Sequence, residues 1–476
     1  LVMLVFAIIS GGWVAESPTW APWFDYTGVQ LTWILGGYGF VAAVLPVWLL
    51  LAPRDYLSTF LKIGTIVGLA IGILIMRPTL TMPALTKFVD GTGPVWTGNL
   101  FPFLFITIAC GAVSGFHALI SSGTTPKMLA NESQACFIGY GGMLMESFVA
   151  IMALVAACII DPGVYFAMNS PMAVLAPAGT TDVVASAAQV VSGWGFSITP
   201  DTLHQIASEV GEQSIISRAG GAPTLAVGMA YILHGSLGGL MDVSFWYHFA
   251  ILFEALFILT AVDAGTRAAR FMLQDLLGVI SPGLKKTSSL PANLLATALC
   301  VLAWGYFLHQ GVVDPLGGIN TLWPLFGIAN QMLAGMALML CAVVLFKMKR
   351  QRYAWVALLP TSWLLICTLT AGWQKSFSPD TKVGFLAIAN KFQAMIDSGN
   401  IPPQYTESQL AQLVFNNRLD AGLTIFFMIV VVVLALFSIK TALAALKEDK
   451  PTAKETPYEP MPENLDAIET QAKGAH

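Results

Sequence analysis

Apolar runs of about 20 residues, separated by short polar turns, recur along this whole chain, a pattern that soluble domains do not carry. A helix rises about 1.5 Å per residue, so roughly 20 apolar residues cover a hydrocarbon layer of about 30 Å. By that rule residues 1–14 form part of a span, and residues 29–51, 57–76, 99–121, 137–160, 224–241, 245–262, 290–307, 319–346, 354–372 and 422–440 each form one. Lipid offers no partner for a free backbone N–H or C=O, so these spans have to be helices. The expected fold is an all-α polytopic membrane protein, a helical bundle of 11–12 spans. Only 11% of the 476 residues are charged, against about 25% in a soluble domain.

The bias of lysine and arginine sets the orientation. With KMKRQR, Lys347 to Arg352, on the cytoplasmic side, alternation places Arg54, Lys62, Lys127, Arg218, Arg267, Arg270, Lys285 and Lys286 there too, twelve basic residues against six outside the tail. That count requires a twelfth crossing near 183–199, which is weak by hydropathy, and it puts the C-terminus in the cytoplasm. Residues 1–440 then form a transmembrane domain, 373–421 an external loop with helices inside it, and 441–476 a disordered charged tail. Leu1 is not an initiator methionine and the first residues already read as a span, so the chain reads as the C-terminal part of a longer one. Thr199-Pro200-Asp201 has the form of a helix start, and residues 263–277 read as a second helix lying along the membrane surface. Gly64, Gly68 and Gly72, four apart, form a strip that a neighbouring helix can approach closely.

Two stretches carry more polarity than lipid-facing helices tolerate. Gly111 to Lys127, GAVSGFHALISSGTTPK, brings Ser114, His117, Ser121, Ser122, Thr124 and Thr125 to membrane depth among three glycines. A glycine-interrupted helix with hydroxyls beside the break presents backbone groups to a solute, although such hydroxyls also bond back to their own helix. In Gly317 to Gln331, Pro324 is expected to break a second span, with Asn320, Trp323, Asn330 and Gln331 around it. Both stretches are read as walls of a substrate path.

An ionisable group in mid-span costs on the order of 3 kcal/mol, so Glu146 is expected to face the bundle interior, to have a partner and to carry a coupling proton. Glu254 is the second candidate for that role, and Asp263 with Arg267 is read as a gate. The six cysteines, scattered without ligand spacing, read as buried small apolar residues. No HExxH, GxSxG or phosphate-loop motif is present, so the reading is a non-enzyme without cofactor or metal, and secondary transport is favoured over an ATP-driven pump. The net charge of -4 gives no reason to expect nucleic acid as a partner.

The runs YGFVAAVLPVWLLLAPRDYLSTFLKIGTIVG, ACGAVSGFHALISSGTTPKML, IGYGGMLMESFVAIMALVA, LTAVDAGTRAARFMLQDLLG and NTLWPLFGIANQMLAGMAL closely resemble the carbon starvation protein A family, over essentially the whole chain. The resemblance implies a carrier of the bacterial inner membrane, induced on carbon starvation, that takes up peptides. It also implies relatives that move pyruvate with protons, and the inverted-repeat fold of the amino acid, polyamine and organocation transporters. Family members begin with a further glycine-rich membrane portion that this chain lacks. The expected function is proton symport of peptides or pyruvate by alternating access; a membrane sensor that binds the same solutes without moving them is the alternative.

Overall fold

The computed structural model describes residues 2–177, 179–287, 289–314, 318–402 and 405–454. Within them every regular element is a helix. Seven helices are long and apolar enough to cross a membrane: Leu51–Met76, Gln134–Cys158, Val243–Ile280, Leu290–Val313, Leu322–Lys347, Trp355–Phe377 and Glu407–Lys447.

The other expected spans depart from a plain crossing, each for a local reason. The run 29–51 yields the helix Gly28–Val44, which Thr27 starts with a capping box and which ends where Leu45, before Pro46, turns extended. The run 224–241 yields Gly221–Ser236. The run 99–121 is divided into Leu100–Thr107, Ala109–Ala112 and Gly115–Gly123. The weak twelfth crossing is not one: Val183–Gly193 has 11 residues and reaches only about 16 Å. Asp182 caps its start and Gly195, at φ +91°, turns the chain after it.

Two boundaries vanish altogether. The surface helix expected at 263–277 is instead the second half of one 38-residue helix, Val243–Ile280, and Asp263, Arg267 and Arg270 on it are buried. The helix expected inside the external loop at 406–420 runs without interruption into the last span as Glu407–Lys447, started by a capping box between Thr406 and Gln409. That helix continues past residue 440, and most of the tail, residues 455–476, lies outside the described residues. The helix start at Thr199 is present: Pro200–Val210 begins with Thr202 N–H donating to Thr199 Oγ1 and ends at Gly211, φ +77°.

Most of the tightly packed apolar core joins Leu51–Met76, Gln134–Cys158, the short helices between 162 and 210, Gly221–Ser236 and the first half of Val243–Ile280. The close helix crossing lies at Gly228, where an added Cβ would stand 2.1 Å from Ala156 O. The glycine strip of Leu51–Met76 serves at one position: Gly72 meets Ile232 and Ser236, while Gly64 and Gly68 have no atom within 4 Å. A second core, with Phe103, Ile106, Ile328, Met332, Ala371 and Val431, ties the broken segment to the last three long helices. Lipid surrounds this bundle, so the broad apolar face of Gln134–Cys158, 11% buried in its most apolar window, suits its solvent. Cys110, Cys136 and Cys341 are on such exposed faces, contrary to the expectation that all six cysteines are buried; lipid accepts a small thiol as readily as a core does.

Candidate functional site

The broken segment and the helix Gly318–Lys347 meet where the sequence placed its two walls. At Val113–Ser114 the backbone leaves the helical path, with Ser114 extended at φ −88°, ψ 116°. The next helix starts at Gly115, and its Phe116 N–H donates to the side-chain Oδ1 of Asn330 at 2.9 Å. A helix start leaves four N–H groups without intrahelical partners, and here a side chain from another span takes one of them. The two backbones touch: a Cβ on Gly115 would lie 2.1 Å from Asn330 O and 2.4 Å from Leu333 Cβ. Asn330 is 4% exposed and Gln331 2%, yet Asn330 Nδ2 and Gln331 Oε1 have no hydrogen-bond partner among the described residues. A buried unpaired amide donor next to a buried unpaired acceptor is costly, and a polar solute or water would relieve it.

The second interruption is absent. Gly318–Lys347 is helical through Pro324. The proline removes the bond to Asn320 O, and the helix, packed against Trp355–Phe377 and Glu407–Lys447, continues through it. Trp323 is exposed and stacks at a tilt on Phe326, 5.2 Å between centroids. The side chain of Asn320 lies outside the described residues.

The hydroxyls divide. Ser121 and Ser122 are exposed and donate back to Ala118 O at 3.1 and 2.9 Å, the local alternative to facing a solute. Thr124 is buried and Thr125 half-buried at the far end of this helix, and Ser114 is half-buried beside the contact. Glu146 does have a partner, His117, with Oε2 and Nε2 3.3 Å apart. It does not face the interior of the described bundle: the two side chains are 39% and 57% exposed. Gln134–Cys158 turns Met152 and Ala156 inward, and at about 100° per residue Glu146 stands roughly 80–120° away from them. Glu254 is half-buried on Val243–Ile280 and makes no ion pair among the described residues.

Asp263 and Arg267 belong to a buried ionic cluster that fastens three helices. Arg54 pairs with Asp263, which is 1% exposed, and Tyr38 joins them, donating to Asp263 Oδ2 at 3.0 Å. Arg54 also reaches Asp55 and Thr260, which form one corner of the cluster. Arg267 donates to Ala42 O at 2.6 Å and Leu45 O at 2.7 Å, and Arg270 to Ala43 O at 2.7 Å. Two guanidinium groups thus satisfy the last carbonyls of Gly28–Val44, at the negative end of its dipole.

A carboxylate that sequence reasoning missed is Asp420. It is 3% exposed in Glu407–Lys447, and shares a narrow pocket with Asp314, Asn416, Gln310 and Tyr306 among apolar neighbours. Asn416 Nδ2 donates to Asp314 Oδ2 at 3.1 Å. The run FNNRLDAG reads as a surface helix because its polarity is dense, and only tertiary packing reveals that Asn416, Asn417 and Asp420 turn inward while Arg418 points out.

No solved structure matches the chain. Residues 1–371 match the family described as carbon starvation protein CstA. The chain is 94% identical over 470 residues, 99% of its length, to the protein named peptide transporter CstA of Escherichia coli strain K12. It is 58% identical, over 97% of its length, to the pyruvate/proton symporter BtsT of the same strain, and covers 67% of each of these two relatives. The peptide transporter CstA of Helicobacter pylori strain 26695 is 51% identical over 96% of the chain and is 66% covered. With the helical membrane architecture and these identities together, the chain belongs to the carbon starvation protein CstA family.

Proposed function

We propose that the chain forms the larger part of a secondary active transporter that takes up peptides, pyruvate or both across the bacterial inner membrane, by proton symport with alternating access. The observation that carries this reading is the helix break at Ser114, docked on the buried and partly unpaired amides of Asn330 and Gln331. A helix N-terminus at membrane depth favours an anionic group, and a solute carboxylate offers the acceptors that Asn330 Nδ2 lacks. Ser114, Thr124, Thr125, Asn330 and Gln331 line the path in this reading, with His117 and Trp323 at its margin. Glu146 carries the proton, exchanging it with its partner His117.

The names of the two Escherichia coli relatives support a small organic solute, and one of them supports the proton. The C-terminus is cytoplasmic in this proposal: Lys349 Nζ donates to Ala445 O at 2.7 Å, so the KMKRQR loop and the end of the last helix share one face, and basic loops favour that side. Uptake of labelled pyruvate and labelled alanyl-alanine into proteoliposomes of the whole protein, with and without an imposed pH gradient, tests the reading. Accumulation driven by an inward proton gradient is expected for at least one of them. Uptake of either solute that ignores the gradient would sink proton coupling, and no uptake of either would sink the transport reading.

A further inference from the structure

The helix Glu407–Lys447 presents Gln412, Asn416 and Asp420, four residues apart, on one face. The first two are matched at the end of Leu290–Val313: Gln412 Nε2 donates to Gln310 Oε1 at 2.9 Å, and Asn416 Nδ2 to Asp314 Oδ2 at 3.1 Å. The third is not. Asp420 is buried, yet its carboxyl makes no hydrogen bond and no ion pair among the described residues; the side-chain bond at this residue is that of the Thr424 hydroxyl to its backbone carbonyl. A carboxylate so placed gives up its hydration and gains no partner in return.

The carboxyl lines a cavity from which the partner can come. Asp420, Asp314, Asn416 and Tyr306 surround it between the apolar walls of Leu322 and Leu419, and its volume of about 10 Å³ has room for one water-sized particle. No lysine, arginine or histidine is among the described residues that line it, and Arg418 nearby is exposed. Two carboxyls thus share one small space without a positive side chain, and apolar walls strengthen their repulsion. The ligating atoms on offer are oxygens: the two carboxylates, the Tyr306 hydroxyl and Asn416 Oδ1, which the bond made by Nδ2 leaves free. Hard oxygen donors select alkali and alkaline-earth ions over transition metals, and no group of three or more His, Cys, Asp and Glu gathers among the described residues. Calcium takes about 6–8 oxygens and magnesium keeps several waters, more than this cavity accommodates.

We propose that Asp420 and Asp314 bind one sodium ion, stripped of its water, in this cavity. The ion supplies the partner that Asp420 lacks and takes the third position of the face that Gln412 and Asn416 begin. It thereby fastens the last helix to the end of Leu290–Val313 where no amide does. None of the residues that line the cavity belongs to the proposed solute path, and the site does not depend on proton coupling.

The test is equilibrium binding of radioactive sodium to the whole protein in nanodiscs by scintillation proximity, with choline holding the ionic strength constant. Saturable binding is expected, displaced by unlabelled sodium and far more weakly by potassium, together with a melting temperature that rises with sodium. Asp420→Asn keeps the size of the side chain and is expected to raise the dissociation constant roughly tenfold or more, while melting no lower than the unaltered protein when sodium is absent. Asp314→Asn is expected to weaken binding as well, and it decides the matter if Asp420→Asn does not fold. No saturable binding, displacement by calcium or magnesium ahead of sodium, or a folded variant of either residue that binds sodium as tightly as the unaltered protein overturns the proposal. A melting temperature that rises on acidification but not with sodium also overturns it, in favour of a proton on Asp420. The readout needs no gradient and no solute, so a protein that binds sodium here but fails to transport refutes only the transport reading.

Discussion

Gly115→Ala is the sharpest probe of the contact between the broken segment and Gly318–Lys347. Gly115 has no positive φ, so alanine meets no backbone strain and the cost is steric. The new methyl would stand 2.1 Å from Asn330 O, 2.4 Å from Leu333 Cβ and 2.9 Å from Ala334 N. Two of those atoms belong to the backbone of a packed helix and cannot rotate away. Overpacking of this kind costs about 1–3 kcal/mol. Moving the helix aside also loses the Phe116–Asn330 bond, roughly another 0.5–1.5 kcal/mol. The expected sum is about 1.5–4.5 kcal/mol of stability, with uptake falling at least tenfold because the site is displaced. Gly111→Ala is the matched control, since nothing lies within 4 Å of its added methyl. Thermal unfolding in nanodiscs and proteoliposome uptake are measured for both variants. If Gly115→Ala unfolds and transports like Gly111→Ala, the close approach is not a feature of the working protein.

Asp263→Asn leaves half-buried Arg54 with Asp55 as its remaining counter-charge and is expected to cost about 1–3 kcal/mol; unfolding of the double variant with Arg54→Gln should show recovery of part of that loss. Glu146→Gln is expected to abolish gradient-driven accumulation while keeping the fold, because both partners are partly exposed; retained accumulation removes Glu146 from the mechanism. Asp420→Asn replaces a buried carboxyl with a neutral group of its size, so in sodium-free buffer stability should change by less than about 1 kcal/mol or rise, as chemical denaturation of the variant can show. Burial and the Asp314 charge hold the Tyr405 hydroxyl above its ordinary value of 10.0. The folded chain therefore keeps that proton longer than the unfolded one, and the stability it supports is full below pH 10.0 and declines above it; Tyr405→Phe should flatten the decline in a pH series of melting curves.

Helix identity was legible wherever hydropathy alone decides it, because lipid leaves the backbone no other choice. The break at Ser114 was legible for the same reason: glycines and hydroxyls in an apolar run have few other uses. Pro324 misled because a proline's effect depends on which turn it occupies, and on the neighbours packed against the helix. The length of Val243–Ile280 was hidden because Asp263, Arg267 and Arg270 read as a surface. Their burial depends on carbonyls that Gly28–Val44 offers from more than 200 residues away, a pairing that no local pattern encodes. Asp420 was missed by the same route, since a charge near a span end is ordinarily an interfacial residue. Glu146 drew attention correctly as a charge that needs a partner, but which way it faces depends on the phase of a helix with little packed against it.

The nine residues of Gly115–Gly123 are wedged between two long helices, with Phe116 at the start already against Gly265 of Val243–Ile280. The first rests on Asn330 of one long helix, and the last lies against Ala268 of another, 2.8 Å from where a Gly123 Cβ would stand. A rod so held would tilt if its two neighbours slid past one another. It is about 12 Å long, so a tilt of roughly 10° displaces one tip by about 2 Å relative to the other. A modest slide between the two long helices would therefore shift the Ser114 end together with this short helix.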